Sequence, residues 1–314
     1  MRTIHLSEAD CLPDAEVEAL AGQLLDDSYY DTLIEDDADV FKPDGTPLIM
    51  YRLGVLSHAD CIGAYGGLRA AAGESRNRGI AAGPVNESTG AIKGVEVGSG
   101  KRIYRIKQDG TPSQTFEANP VLSGIVGYFD RNPRIPYCRT TAYTLKNEQK
   151  FAQSLPFIRK ISNHFKATHP ERWHSQHEMI QKTSPDFYIH DTVFTTVTVN
   201  LNWQTALHQD AGDYKGGFGV MTAIWKGKPC GCYLCYPKYR VAVNTMTTSV
   251  LLADVHEWHG NTPFTGVYGD YERLSFVLYY REKMAQCGSA ADELEIAKKK
   301  RGGFDNEEGS QSLW

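Results

Sequence analysis

Long hydrophobic runs are missing from this chain. None of its 314 residues lies in an apolar stretch approaching 18, about the length a helix needs to cross a bilayer, so a membrane-spanning role is not expected. The opening Met1-Arg2-Thr3-Ile4-His5 has none of the charged-then-apolar pattern of a secretion signal. Charge of one sign is scarce too: 33 Lys and Arg against 38 Asp and Glu leave a net −5. That argues for no bulk basic surface, while leaving room for a local basic groove. There is no GxGxxG phosphate loop and no internal repeat. The 7 cysteines are odd in number and unevenly spread, which suits free thiols in a reducing compartment better than a disulfide framework. Cys230, Cys232 and Cys235 crowd together, but no second CxxC or His pair completes a zinc site. The expectation is an intracellular, non-secreted protein.

What is present changes character along the chain. Glu8 through Asp26 carries acidic and apolar residues at helical spacing, with Pro13-Asp14 as a start signal, and Asp36-Asp37-Ala38-Asp39 reads as a solvated loop. A strand is expected over Leu48–Leu53, and residues 63–100, rich in Gly and Ala, read as a long loop. Ile103–Ile106, Ser123–Asp130 and Tyr137–Thr144 are strand candidates. Asn147 caps a helix whose Phe151, Leu155, Ile158, Ile161 and Phe165 share one face, and a second helix runs over Glu171–Gln181. His164, His169, His174 and His177 fall in this pair and read as a solvated helix surface.

From Phe194 the period becomes two. Strands are expected at Phe194–Leu201, Gln204–Asp210, Gly219–Lys226, Cys232–Tyr236, Arg240–Asn244, Ser249–His256 and Arg273–Tyr280. This spacing describes a sandwich or jelly roll in an α+β chain with flanking helices. The expected organisation is an N-terminal segment, residues 1–120, wrapping a core at 121–284, with a charged, flexible tail at 285–314.

His208 and Asp210 lie two apart, so on an extended segment they project from one face. A second imidazole completes a two-His-one-carboxylate site, which holds Fe(II) by one face and leaves positions open for O2 and a cosubstrate. His259 is favoured over His256 because it precedes Gly260-Asn261, where the strand gives way to a turn. Arg273, 14 residues beyond His259, offers a fork for a dicarboxylate such as 2-oxoglutarate, with Ser275 on the same face. Arg139 and Asn200 are candidates for the other end of that cosubstrate.

The runs Thr196–Asn200, Thr205–Asp213, Gly217–Val220 and Asp254–Asn261, with Ser123–Asp130 and Cys138–Ala142 upstream, resemble the TET/JBP dioxygenases, which oxidise the 5-methyl group of pyrimidine bases in DNA. The resemblance covers roughly residues 120–280. It implies a double-stranded β-helix core, Fe(II) on His208, Asp210 and His259, 2-oxoglutarate on Arg273, and a DNA substrate. Asp213 matches the position facing the target base. Ionised, it accepts from the cytosine amine and repels thymine O4, which favours 5-methylcytosine. A flipped base would stack on Tyr214, Phe218 or Trp258, with His256 close by, and Lys215, Lys226, Lys228, Lys238 and Arg240 are available to phosphates. His208-Gln209-Asp210 and Arg273-Leu274-Ser275, with Arg281, also resemble the AlkB type of N-demethylase. A hydroxylase of a free amino acid or peptide and a cupin-like binding module are further alternatives. Oligomeric state is not legible.

Overall fold

Along Tyr271–Tyr279 the side chains alternate between two environments. Leu274, Phe276, Leu278 and the following Tyr280 are buried in the main apolar cluster with Phe157, Ile158, Ile161 and Phe165. By the period of two, Arg273, Ser275, Val277 and Tyr279 project from the opposite face. The neighbouring strand Thr196–Leu201 does the same: Val197, Val199 and Leu201 join the helix-side cluster, leaving Thr196, Thr198 and Asn200 on the other side. Register then aligns the polar residues, with Asn200 directly between Ser123 and Ser275. One face of this sheet is therefore apolar and covered by helices, and the other carries a row of hydroxyls, an amide and an arginine.

The computed structural model describes residues 1–84, 92–97, 100–106, 112–117, 119–133 and 135–307. Its main sheet has ten strands, running Arg2–His5, Ala38–Phe41, Pro47–Arg52, Val250–Ala253, Gly219–Gly227, Tyr271–Tyr279, Thr196–Leu201, Val121–Phe129 and Arg139–Thr140, with Glu74–Ser75 also on Val121–Phe129. A second sheet orders Gly260–Asn261, Leu234–Tyr236, Val241–Val243 and Thr32–Ile34. The two are joined by an apolar layer in which Leu48, Tyr51, Leu251 and Ala253 of the large sheet meet Ile34, Leu234, Tyr236 and Val243 of the small one. The result is the two-sheet roll of a double-stranded β-helix. Helices His58–Leu68, Glu148–Thr168 and Pro170–Lys182 back the large sheet. A further three-stranded antiparallel sheet spans Ile92–Val97, Gly100–Ile106 and Pro112–Glu117.

Several elements differ from the reading above, each for a tertiary reason. The acidic run is a bend only at Asp36-Asp37, where Asp36 is exposed; its second half enters the strand Ala38–Phe41 between Arg2–His5 and Pro47–Arg52, and Asp39 pairs with Arg52 at 2.7 Å. Within the glycine-rich stretch, residues 63–68 are helical, in a helix opened by a Ser57–Asp60 capping box. Gly67 serves packing, since a Cβ there would stand 2.5 Å from Lys150 O of the adjoining helix. Residues 85–91 and 98–99 of that stretch lie outside the described residues. Tyr137–Thr144 is a strand only at Arg139–Thr140 and turns helical at Ala142. Glu8–Asp26 is a short turn plus the helix Asp14–Ala19. Gln204–Asp210 is extended without a ladder, held by one bridge.

The cysteine reading is also corrected. Cys138 and Cys287 form a disulfide across 149 residues, and five thiols stay free. This pairing depends on the chain after Tyr279 returning beside Arg139–Thr140, which no spacing announces. The same corner docks the tail. Helix Ala290–Glu307 buries Glu293, whose carboxylate pairs with Arg131 and accepts from Cys138 N at 2.7 Å and Gly288 N at 2.8 Å. The tail is thus anchored at its start, and its last seven residues lie outside the described ones.

The close approach at Gly124 gives a test of this packing. A Cβ there would fall 1.8 Å from Ala71 O, so Gly124→Ala must push the 71–75 segment off the sheet. The expected cost is about 2–3 kcal/mol, read as a lower urea midpoint at unchanged slope.

Candidate metal centre and cosubstrate pocket

His208 and His259 sit opposite each other in an isolated antiparallel bridge. Each backbone N–H donates to the other's carbonyl at 2.9 Å, and directly paired residues in such a bridge carry their side chains on the same side. The rings lie 4.5 Å apart, centroid to centroid. Asp210 reaches between them, with Oδ1 3.5 Å from His208 Nε2 and Oδ2 3.9 Å from His259 Nε2. One ligand atom from each of the three falls within 4.8 Å of the others. His256 is outside this group: its N–H donates to Asp254 Oδ1 at 3.2 Å and its carbonyl accepts from Gln209 Nε2 at 2.7 Å.

The tautomers are set by the backbone. His208 Nδ1 lies 2.8 Å from Ala206 O and His259 Nδ1 2.9 Å from Glu257 O. Each Nδ1–H therefore donates to a carbonyl, and each Nε2 keeps its lone pair aimed at the common point. Burial, and then the neighbouring His208, lower the His259 pKa to about 4. Burial opposes ionisation of Asp210, but the hydrogen bond and charge of His208, with His259 and His256, outweigh it and hold the carboxyl at about 2. Burial likewise opposes a charge on His208, and Asp210 reverses the balance, raising it. An ionised carboxylate beside two imidazoles with free Nε2 atoms is the donor set for a divalent transition metal such as Fe(II).

The loop bearing His208 is held by the N-terminal third. Ala206 N donates to Ala81 O and Leu207 N to Gln23 O, each at 2.9 Å, and Gly22 N donates to Leu207 O at 2.8 Å. Leu207 itself is packed with Val17, Leu25 and Trp258.

Arg273 lies on the polar sheet face and is 6 % exposed. Its Nη2 donates to Thr245 Oγ1 at 3.0 Å, its guanidinium lies over Trp225 at 5.7 Å, and its Nε is buried with no hydrogen-bond partner. Among the described residues no carboxylate pairs with this buried guanidinium, the partner such a group calls for. A carboxylate of 2-oxoglutarate fits that vacancy in the hydrogen-bonding scheme. Ser275 is half-buried two residues on, beside Asn200, whose Oδ1 accepts from Ser123 Oγ at 2.5 Å.

Arg139 stands apart from this end. Its guanidinium lies 4.8 Å from the Phe129 ring, with Arg281 over the same ring at 4.2 Å. Arg281 Nε donates to Asp130 Oδ1 at 2.7 Å, and Arg281 bridges through its backbone to Asp213. Asp213 is buried, and burial, with the Asp210 carboxylate next, pushes its carboxyl well above the usual range. Protonation of Asp213 is thus favoured relative to that of a surface carboxyl.

The three rings expected to stack on a base each have contacts within the protein. Tyr214 turns to helix Pro170–Lys182, its hydroxyl 2.9 Å from Ser175 Oγ. Phe218 is buried against Phe165, His169 and Arg172, and Trp258 packs with Val17 and Leu25. The aromatic on the polar face is Tyr279, hydrogen-bonded to Thr198 Oγ1 at 3.1 Å with Asp213 and Arg281 as electrostatic neighbours. Counting in twos from Arg273 reaches it, so the sequence held that signal. Of the cations expected to face phosphates, Lys238 and Arg240 are tied to Asp14 and Asp31, and Lys226 lies on the Tyr65 ring. Lys215 and Lys228 are exposed.

Comparison with known proteins agrees with this geometry. Residues 124–282 match the family model Tet_JBP, described as the oxygenase domain of the 2OGFeDO superfamily. Thymine dioxygenase JBP1-B of Trypanosoma cruzi is 35 % identical over 185 residues, covering 57 % of this chain and 22 % of that protein. Thymine dioxygenase JBP1 of Trypanosoma brucei brucei is 37 % identical over 169 residues, covering 52 % and 20 %. The chain thus spans about a fifth of the length of these relatives. The solved structure of NgTET1 in complex with 5mC DNA aligns with a TM-score of 0.54 at 12 % identity, over 85 % of this chain and 86 % of that one, and shares the fold. No helix among the described residues is long and apolar enough to cross a membrane. The superfamily's cofactors are Fe(II), 2-oxoglutarate and O2, and the His208–Asp210–His259 donor set suits that metal. The chain belongs to the Tet_JBP family, an oxygenase-domain family of the Fe(II)/2-oxoglutarate dioxygenase superfamily.

Proposed function

We propose that this chain hydroxylates the 5-methyl group of a pyrimidine base in DNA. In this reading His208, Asp210 and His259 hold Fe(II), and Arg273 anchors 2-oxoglutarate. The observation that carries it is the pairing of a convergent triad with a buried guanidinium that no acid among the described residues engages, on the polar face of the same roll. Bound iron with 2-oxoglutarate supplies the oxidising power, and the chain binds, aims and excludes water. Arg273, Thr245 and Ser275 take the distal carboxylate. Asn200, between Ser123 and Ser275, is a contact along the same wall, and Arg139 serves the far side near Phe129.

A methyl group inside a duplex reaches so recessed a site only if its nucleotide flips out. Tyr279 then offers the ring, and Asp213 the polar contact to the base edge. The expectation of 5-methylcytosine rested on a charged Asp213. Burial and the Asp210 charge raise the Asp213 pKa, and in its protonated form the carboxyl has an O–H to donate to thymine O4, so in this reading the base edge accommodates thymine. The relatives at 35 % and 37 % identity are themselves named thymine dioxygenases. We therefore assign thymine as the preferred base, with 5-methylcytosine the competing outcome.

The deciding measurement is mass spectrometry of nucleosides from DNA incubated with the protein, Fe(II), ascorbate and 2-oxoglutarate. Thymine DNA should yield 5-hydroxymethyluracil faster than 5-methylcytosine DNA yields its alcohol. Product only from N-methylated DNA would overturn the assignment. Alanine at His208, Asp210 or His259 should abolish Fe(II) binding by calorimetry and turnover while leaving the far-ultraviolet dichroism intact. His256→Ala should retain both. Asp213→Asn keeps a donor and should hold thymine oxidation within a few-fold, whereas Asp213→Ala should lower kcat/KM by about tenfold or more. Equal loss in both variants would show that the donor reading of Asp213 is wrong.

A further inference from the structure

The turn that follows strand Val250–Ala253 spends its carbonyls on the metal centre. Val255 O accepts from Asp210 N at 3.0 Å, His256 O from Gln209 Nε2 at 2.7 Å, and Glu257 O from His259 Nδ1 at 2.9 Å. Three consecutive carbonyls thus place the main chain at Asp210, the side chain beside it and the ring of His259. The turn's own bonds are long: Glu257 N reaches Asp254 O at 3.4 Å and His256 N reaches Asp254 Oδ1 at 3.2 Å.

A single ammonium from elsewhere in the chain closes this turn. Lys42 Nζ donates to Asp254 Oδ2 and to Glu257 Oε1, each at 3.0 Å, and the three side chains are only 14, 9 and 22 % exposed. An ion pair this far from water is not the weakly held surface kind, and losing one member leaves the others short of a partner. Lys42 lies outside the family-matched stretch, at the foot of a rigid hairpin turn. Its N–H donates to Thr46 O at 2.8 Å, its carbonyl accepts from Gly45 N at 2.9 Å, and Asp44 Oδ1 accepts from Thr46 N at 2.8 Å. The returning strand of that hairpin is fastened to the same turn, Asp254 N donating to Leu48 O at 2.9 Å. The backbone of the hairpin therefore delivers the ammonium to a fixed point between the two acids.

We propose that Lys42 is a positioning residue for the metal centre, which ties Asp254 to Glu257 and so fixes the turn whose carbonyls orient His259 and Asp210. The proposal rests on the reading of His208, Asp210 and His259 as Fe(II) ligands. Without the cation that both share, Asp254 and Glu257 repel each other across three residues, and the carbonyls between them lose their fixed aim.

The test is calorimetric Fe(II) binding to the full chain stripped of metal, set beside urea unfolding without metal. Lys42→Met keeps the apolar stem and removes the ammonium. It should weaken Fe(II) binding about tenfold or more, the scale for losing a group that holds a ligand in place, with the far-ultraviolet dichroism retained. Arg52→Met is the control. It breaks the Arg52–Asp39 pair, of similar burial at 17 and 13 % exposure, on the same hairpin but three residues further along the ladder than Ile49, which pairs with Ala253. This variant should lower the urea midpoint and leave Fe(II) affinity within about twofold, a separation that a merely structural role for Lys42 would not produce. Glu257→Gln keeps the carbonyl that holds His259 and cuts one arm of the link, so it should also weaken binding. Combined with Lys42→Met it should add less than about twofold, because both act through one link. Unchanged Fe(II) affinity in Lys42→Met, an equal loss in Arg52→Met, or losses that multiply in the double variant each overturn the proposal. If Lys42→Met does not fold, Glu257→Gln decides: weaker Fe(II) binding supports the link and wild-type affinity overturns it. A wild-type chain that binds no Fe(II) sinks the triad reading itself, whereas a metal-binding wild type with an indifferent Lys42 sinks the positioning role alone.

Discussion

Two backbone hydrogen bonds between His208 and His259, each 2.9 Å, are the constraint from which the rest of the site follows. An exchanged pair of this kind sets both Cβ atoms on one side, so the imidazoles converge without help from a long ladder. Each Nδ1 is then used up on a carbonyl two residues upstream, which removes the ring flip as a degree of freedom. Ligand geometry is thereby written into main chain, and side-chain packing has little left to adjust.

That bridge is not self-supporting. The segment before His208 has no ladder of its own, and its carbonyls and N–H groups are satisfied by Gly22, Gln23 and Ala81. Buried backbone groups must be paired somewhere, and here the N-terminal third supplies the partners. The first hundred residues are therefore structural components of the metal loop, and they also contribute strands to both sheets. The far corner is secured differently, by the Cys138–Cys287 link and the buried Glu293.

Electrostatically the roll is divided along its polar face. At one end the Arg273 guanidinium is buried over Trp225 without an acid among the described residues; at the other Arg139 and Arg281 lie against Phe129, with Asp130 paired to Arg281. Such arrangements are costly in the free protein and are relieved by anionic ligands. The raised pKa of Asp213 belongs to the same balance, because a second ionised carboxyl beside Asp210 in a dry pocket is disfavoured.

Much was legible in the sequence where chemistry and period coincide. The parity of His208 and Asp210, the placement of His259 before Gly260-Asn261, and the Arg273–Ser275 alternation each depend on neighbours along the chain, and local geometry suffices to read them. The contacts of Tyr214, Phe218 and Trp258 were not legible in this way, because an aromatic near a motif says nothing about which side of the backbone its pocket lies on. The Cys138–Cys287 bond, the helix through Gly63–Leu68 and the raised pKa of Asp213 were decided only by tertiary structure. Each depends on residues distant in sequence: a returning chain end, a helix close enough to demand glycine, a dry surrounding. Local sequence encodes direction and period, whereas burial and long-range pairing arise only when the sheets close.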